Sequence, residues 1–150
     1  MQNRFTTFTV LIGKINRCIK KIKSTEMAEF DLKGVHVSCL YHIYTNKSLT
    51  AKELCDICDE DKASISRSID YLEKNEFLLC NSTLKKRYKS ALELTDKGKA
   101  VAEKIASIIE SMLDRASTGM SEDERLVMYK SLNTVCDNLQ DICDHYDTNI

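Results

Sequence analysis

A chain of 150 residues with a net charge of −1 has room for one compact domain carrying extra helices, and too little length for several domains. It has no proline and 4 glycines, with 43% hydrophobic and 30% charged residues, a composition that disfavours a many-stranded sheet and favours long amphipathic helices. No apolar run is long enough to span a bilayer, and the amino-terminal MQNRFTTFTVLIGKINR lacks a small-residue cleavage site behind its apolar patch, so a mostly α, cytoplasmic protein with no membrane partner is expected.

The first predicted helix runs from Phe5 to Lys23, with Phe8, Leu11, Ile12, Ile15, Ile19 and Ile22 at spacings of three and four. Lys14, Arg17, Lys20, Lys21 and Lys23 occupy its other face. A basic amphipathic helix can lie on a membrane surface, but within a soluble chain its apolar side is expected to pack on protein. STEMAEFD reads as a polar connection, after which Asp31 or Lys33 opens a helix over LKGVHVSCLYHIYTN. Val35, Cys39, Leu40, Ile43 and Tyr44 form its expected buried side, and Asn46, Lys47 and Ser48 end it.

The stretch from Leu49 to Gly98 carries the strongest functional signal. Thr50 can cap a short helix, TAKELCDICDE, in which Leu54, Ile57 and Cys58 are expected to face the core. A second helix begins at Asp61 in DKASISRSIDYLEKN, where Ile65, Ile69 and Leu72 fall on one stripe and face inward. Ala63, Arg67, Asp70 and Lys74 then point outward, with Ser64 and Ser66 on the flanks near the amino-terminal end, where short polar side chains can meet base edges. FLLC, NSTLKKRYKS and ALELT follow as two short apolar runs around a polar tip. Lys85, Lys86, Arg87 and Lys89 cluster there as a phosphate-seeking wing.

Thr95 and Asp96 cap a long helix, DKGKAVAEKIASIIESMLDRAS, with Val101, Ile105, Ile108, Ile109 and Met112 on its apolar side. Gly119, then Ser121 with Glu124 three positions on, mark a stop and restart. Leu126, Tyr129, Leu132, Val135, Cys136, Leu139, Ile142 and Cys143 run down the last helix, more apolar surface than one hairpin leaves in water, so a partner chain is expected. Charge is unevenly spread: residues 61–99 sum to +3 and residues 121–150 to −5. A basic reading face with an acidic tail held away from it suits a dimeric nucleic-acid binder, although charge runs are commonly just solvated faces.

The 7 cysteines, an odd number scattered within helical patterns, fit a reducing compartment better than a disulfide framework. Cys55 and Cys58 share one side of a helix, and Cys80, Cys39 or His36 could complete a zinc site, but small buried hydrophobes are the favoured reading there and no metal or cofactor is expected. Cys136 and Cys143 are read as packing residues and His145 as a solvated histidine. No Gly-rich phosphate loop, paired-histidine metal helix or nucleophile in a recognisable setting argues for an enzyme.

LTAKELCDICDEDKASISRSIDYLEKNEFL and LELTDKGK together resemble the winged helix-turn-helix of the multiple-antibiotic-resistance regulator (MarR) family of bacterial transcription factors. The resemblance extends over nearly the whole chain, with two departures. The family usually has Gly where Asn75 and Glu76 close the recognition helix, and often an Asp-x-Arg in the wing, where this chain reads KKRYK. The resemblance implies a single unit over 1–150, with a winged helix-turn-helix at 33–96 and dimerisation helices at 1–30 and 97–146.

Its functional implication is a homodimeric repressor that binds a palindromic double-stranded DNA operator and is relieved by a small-molecule or oxidant effector. Dimer symmetry would set two recognition helices roughly 34 to 36 Å apart. The DNA contacts would be Thr50, Lys62, Ala63, Ser64, Ser66, Arg67, Asp70 and Lys74 from the helices, with Lys85, Lys86, Arg87 and Lys89 from the wing. An effector pocket bordered by Cys18, His36, Tyr41, His42 and Tyr44 is implied, and Cys18 is the implied oxidant sensor because oxidant-responsive members use a cysteine in the first helix. The competing reading is a helical protein-interaction module whose winged domain binds protein and whose basic wing is simply solvated.

Overall fold

The structure is a computed structural model that describes residues 3–4, 6–80 and 90–147. The wing residues Lys85, Lys86, Arg87 and Lys89 lie outside the described residues. Six α-helices account for most of the rest: α1 (Leu11–Glu26), α2 (Gly34–Thr45), α3 (Ala51–Cys58), α4 (Lys62–Lys74), α5 (Asp96–Ala116) and α6 (Glu122–Asp147). A π-helical turn at Thr6–Val10 leads into α1, and a 3-10 turn at Ala28–Phe30 follows it. The chain divides into two units, Met1–Ile109 and Glu110–Ile150, each described by itself.

In the first unit, α2, α3 and α4 pack on one another around a core that includes Val37, Cys39, Leu40, Leu54, Ile65, Ile69, Leu72, Phe77, Ala102 and Ile105. Local chemistry sets the helix starts. The Thr50 hydroxyl accepts the Glu53 N–H, and the Glu53 carboxylate accepts the Thr50 N–H at 2.8 Å, a reciprocal arrangement that satisfies two otherwise orphaned donors. These bonds from Thr50 hold the Glu53 carboxyl below its ordinary pKa. Lys33 precedes α2, its N–H donating to His36 Nδ1 at 3.2 Å.

Among the described residues there is no continuous strand. Two isolated antiparallel bridges, Thr50 with Ala91 and Leu78 with Leu94, stand at the base of the expected wing. Leu92 N–H donates to the Leu49 carbonyl and Leu79 N–H to the Glu93 carbonyl, so residues 77–79, 91–95 and 49–50 run side by side. The fold is thus mostly helical as expected, with these pairings as the described part of the β region.

Several expectations for individual side chains are corrected. Ile57 is exposed because α3 has only two turns, of which Ala51 and Leu54 supply the buried side. Tyr44 is exposed at the end of α2, while Val37, unnamed in the helix pattern, is buried: a helix covered on several sides does not show one clean stripe. The polar connection STEMAEFD contributes Met27, 1% exposed, to the core, and α1 continues through it to Glu26.

Helix α1 buries none of its residues within one chain: Leu11, Ile12, Ile15 and Ile22 remain exposed. In the second unit, α6 also has no buried residue, and Leu126, Val127, Tyr129, Leu132, Leu139 and Ile142 are exposed along it. The restart before α6 is a capping box, with Ser121 N–H donating to Glu124 Oε2 at 2.7 Å and Glu124 N–H to the Ser121 hydroxyl at 3.3 Å. Gly119, at φ +89°, adopts the left-handed conformation that glycine takes most cheaply. No helix among the described residues is long and apolar enough to cross a membrane.

Candidate nucleic-acid interface

Helix α4 is oriented by its own pattern. Asp61 precedes it and accepts the Ser64 N–H at 2.8 Å, and Ile65, Ile69 and Leu72 are each no more than 2% exposed. Ser68 is buried on the same side. Lys62, Ala63, Arg67, Asp70 and Lys74 stand on the solvent side, with Ser64 and Ser66 half-buried between the two faces. The Arg67 guanidinium makes no hydrogen bond or ion pair with another described residue. Thr50 is half-buried at the start of α3, its hydroxyl committed to the cap.

The turn between α3 and α4 is closed by Asp59 at φ +52°, with Glu60 N–H returning to the Cys55 carbonyl. At the other end of α4, Glu76 takes φ +62° and Phe77 N–H returns to the Leu72 carbonyl at 2.8 Å. A left-handed residue that reverses the chain is the position glycine fills at least strain, which gives a physical reason for the glycine expected there.

The LELTDKGK segment secures that end of α4. Thr95 Oγ1 donates to the Glu76 carbonyl at 2.6 Å and accepts the Gly98 N–H at 2.9 Å. Lys97 Nζ donates to the Asn75 carbonyl at 2.8 Å and sits 4.6 Å from the centroid of the Phe77 ring. Gly98 is buried against the Phe77 carbonyl, where a Cβ would overlap it. Tyr71 performs a similar role mid-helix: its hydroxyl donates to the Asp31 carbonyl at 3.0 Å and its ring stacks on His36. Thr95 caps α5 as the sequence suggested, but its hold on Glu76, like the positioning roles of Tyr71, Lys97 and Gly98, was missed by sequence reasoning.

The five residues named for an effector pocket are not all neighbours of one cavity. His36 lines an open cleft of about 490 Å³ with Ala28, Asp31, Leu32, Lys33 and Tyr71. Tyr41 and His42 are half-buried beside each other, rings edge to face with centroids 5.3 Å apart, while Tyr44 and Cys18 are exposed. Burial, and then the Lys33 ammonium, lower the His36 pKa; burial and then Lys23 do the same for His42. Cys39 is buried in the core, with Cys55 and Cys58 half-buried against that core, but no group of three His, Cys, Asp or Glu side chains among the described residues is arranged to hold a metal ion.

Residues 30–78, spanning α2 to the end of the α4 turn, match the family model described as MarR family. The chain also superposes on a MarR-family transcriptional regulator from Listeria monocytogenes, solved with a 26mer DNA, with a TM-score of 0.79, 26% identity and 94% of this chain and 91% of that one covered. Over residues 30–78 the chain is thus similar to the MarR family, and its fold is that of a MarR-family regulator. A MepR–DNA complex from S. aureus shares the fold of this chain with a TM-score of 0.78 at 20% identity, covering 92% of this chain and 99% of that one. The HTH-type transcriptional regulator YwaE of Bacillus subtilis (strain 168) is 24% identical over 131 residues, which are 87% of this chain and 77% of that protein.

Proposed function

We propose that this chain is a member of the MarR family and a sequence-specific, homodimeric DNA-binding transcription regulator acting in the cytoplasm. The observation that carries the reading is α4: a buried Ile65, Ile69 and Leu72 edge fixes the helix, leaving Arg67 exposed on the opposite edge. Each α4 enters a major groove of a palindromic operator. Arg67, Ser64 and Ser66 meet base edges, with Lys62, Ala63, Asp70 and Lys74 around them and Thr50 at the start of α3. Lys85, Lys86, Arg87 and Lys89 follow the phosphate backbone. Residues 33–96 form the reading region, and 1–30 and 97–146 the dimerisation helices. The exposed apolar edges of α1 and α6 support this assignment, because a face of that size is normally covered by protein.

An effector held near His36, Tyr41, His42, Tyr44 and Cys18 relieves repression by changing the spacing of the two reading heads, and thereby their match to successive grooves. Binding-site selection from random duplexes with the purified protein tests the reading. Recovery of a palindrome with half-sites one helical turn apart supports it. Absence of salt-dependent binding to any duplex overturns it in favour of a protein-interaction module.

A further inference from the structure

The consecutive backbone carbonyls of Asn75, Glu76 and Phe77, where α4 ends, are all held by one short segment. Lys97 Nζ donates to the Asn75 carbonyl at 2.8 Å, Thr95 Oγ1 to the Glu76 carbonyl at 2.6 Å, and the Thr95 N–H to the Phe77 carbonyl at 3.1 Å. The helix closes its preceding turn by itself, with Asn75 N–H returning to Tyr71, Glu76 N–H to Glu73 and Phe77 N–H to Leu72. Residues 95–97 therefore supply donors that the helix end lacks.

The bond from Lys97 differs in chemistry from the two made by Thr95. It is charge-assisted, and it brings a cation to the negative end of the α4 dipole. The same ammonium sits 4.6 Å from the centroid of the Phe77 ring, so it grips the turn at two points. Thr95 also caps α5 by accepting the Gly98 N–H, whereas Lys97 is an exposed residue of the first turn and can be changed without disturbing that cap.

The reading residues lie toward the other end of α4. From Lys74, its last residue, back to Arg67 is roughly 10 Å along the axis, and Ser66 and Ser64 are further still. An ammonium engaged by Asn75 and Phe77 is not placed to touch bases read there. It can still set the tilt of the helix. Burial of Ile65, Ile69 and Leu72 fixes which face turns inward, but apolar contact is non-directional and defines the angle of the axis less closely than hydrogen bonds do. A working site tolerates misplacement of only about 0.5 Å or 10–20°.

We propose that Lys97 is a positioning residue for sequence discrimination: by holding the carboxyl end of α4 it sets the angle at which Arg67 meets a base edge, without touching DNA itself. The inference rests on the DNA-binding reading. Without the Lys97 bond the helix docks over a spread of angles, and the operator loses more affinity than a duplex on which no base contact is made.

Full-length Lys97→Met and Lys97→Arg test this by fluorescence anisotropy, at several salt concentrations, on the duplex selected by wild-type protein and on a scrambled one. Methionine keeps an apolar stem and removes the donor and the charge; arginine keeps both. The ratio of the two affinities should fall about fivefold or more in Lys97→Met and recover in Lys97→Arg, with the salt slope unchanged in each. A loss of folded protein alone lowers the active concentration equally for both duplexes and leaves that ratio where it was. A ratio in Lys97→Met within about twofold of wild type, no recovery in Lys97→Arg, or a slope flatter by about one charge, the mark of a phosphate contact, overturns the inference alone. A wild-type protein that prefers no duplex overturns the DNA-binding reading and the inference with it.

Discussion

The imidazole of His36 lies flat on the phenol ring of Tyr71, with centroids 4.2 Å apart and planes 9° from parallel. The stack joins the first turn of α2 to the third turn of α4, and the Tyr71 hydroxyl extends the connection to the Asp31 carbonyl. Helix α4 is thus held from behind by apolar burial and from one side by an aromatic pair whose partner titrates.

That titration predicts a pH dependence of stability. Burial and Lys33 lower the His36 pKa below 6.5, and its Nδ1 accepts the Lys33 N–H, which requires that nitrogen to be unprotonated. The unfolded chain therefore takes up the proton more readily than the folded one, so the contribution is complete above about pH 6.5 and is lost as pH falls below it. Urea midpoints should drop between about pH 7.5 and about pH 5.5. His36→Asn, which keeps an acceptor but does not titrate, should flatten part of that slope, leaving the share of His42, whose pKa is lowered in the same direction. An unchanged slope in His36→Asn would refute the assignment.

Tyr71→Phe removes the bond to Asp31 while keeping the ring stack. Because the hydroxyl is reachable by water, the cost should be modest, about 0.5–1.5 kcal/mol by chemical denaturation. Tyr71→Ala should cost clearly more by losing the stack as well, and equal losses in the two variants would show that the ring contributes little.

Gly98→Ala should destabilise the first unit. Its Cβ would overlap the backbone carbonyl of Phe77, an atom that cannot swing aside as a flexible side chain could. Strain of this kind typically costs about 1–3 kcal/mol, read as a fall in the denaturation midpoint at constant slope. A midpoint within error of wild type would mean that the α4–α5 junction has room to move.

Glu76→Gly should have the opposite sign. Glu76 holds φ +62°, which costs an L-residue roughly 1–2 kcal/mol. Glycine removes that strain but gains freedom in the unfolded chain, so a net stabilisation of about 0.5–1 kcal/mol is expected, checked by thermal or urea melts.

The contrast between these positions explains how much the sequence disclosed. Periodicity placed α4 and its Ile65, Ile69 and Leu72 edge correctly, because an amphipathic helix writes its orientation in the spacing of its apolar residues. Capping chemistry at Thr50, Asp61, Ser121 and Glu124 was equally readable, since each involves partners three residues apart. Tyr71 with Asp31 and Lys97 with Asn75 were not, because those partners are brought together by packing and share no sequence spacing. Tyr44 and Ile57 misled for a related reason: an apolar residue at a helix end can satisfy the pattern without having anything to pack against.

The DNA-binding reading makes its sharpest claim at Arg67, because base contacts and phosphate contacts fail differently. If Arg67 meets a base edge, Arg67→Ala should cost about 1–3 kcal/mol on the selected operator and much less on unrelated duplexes, so sequence preference relaxes as affinity falls. Lys86→Ala and Arg87→Ala should weaken binding to all duplexes alike and flatten the dependence of log affinity on log salt by roughly one charge each. Fluorescence anisotropy on operator and scrambled duplexes at several salt concentrations separates the two patterns. A uniform loss in Arg67→Ala with a flattened salt slope would move Arg67 to the phosphate backbone. Unchanged binding in all three variants would remove α4 and the wing from the interface altogether.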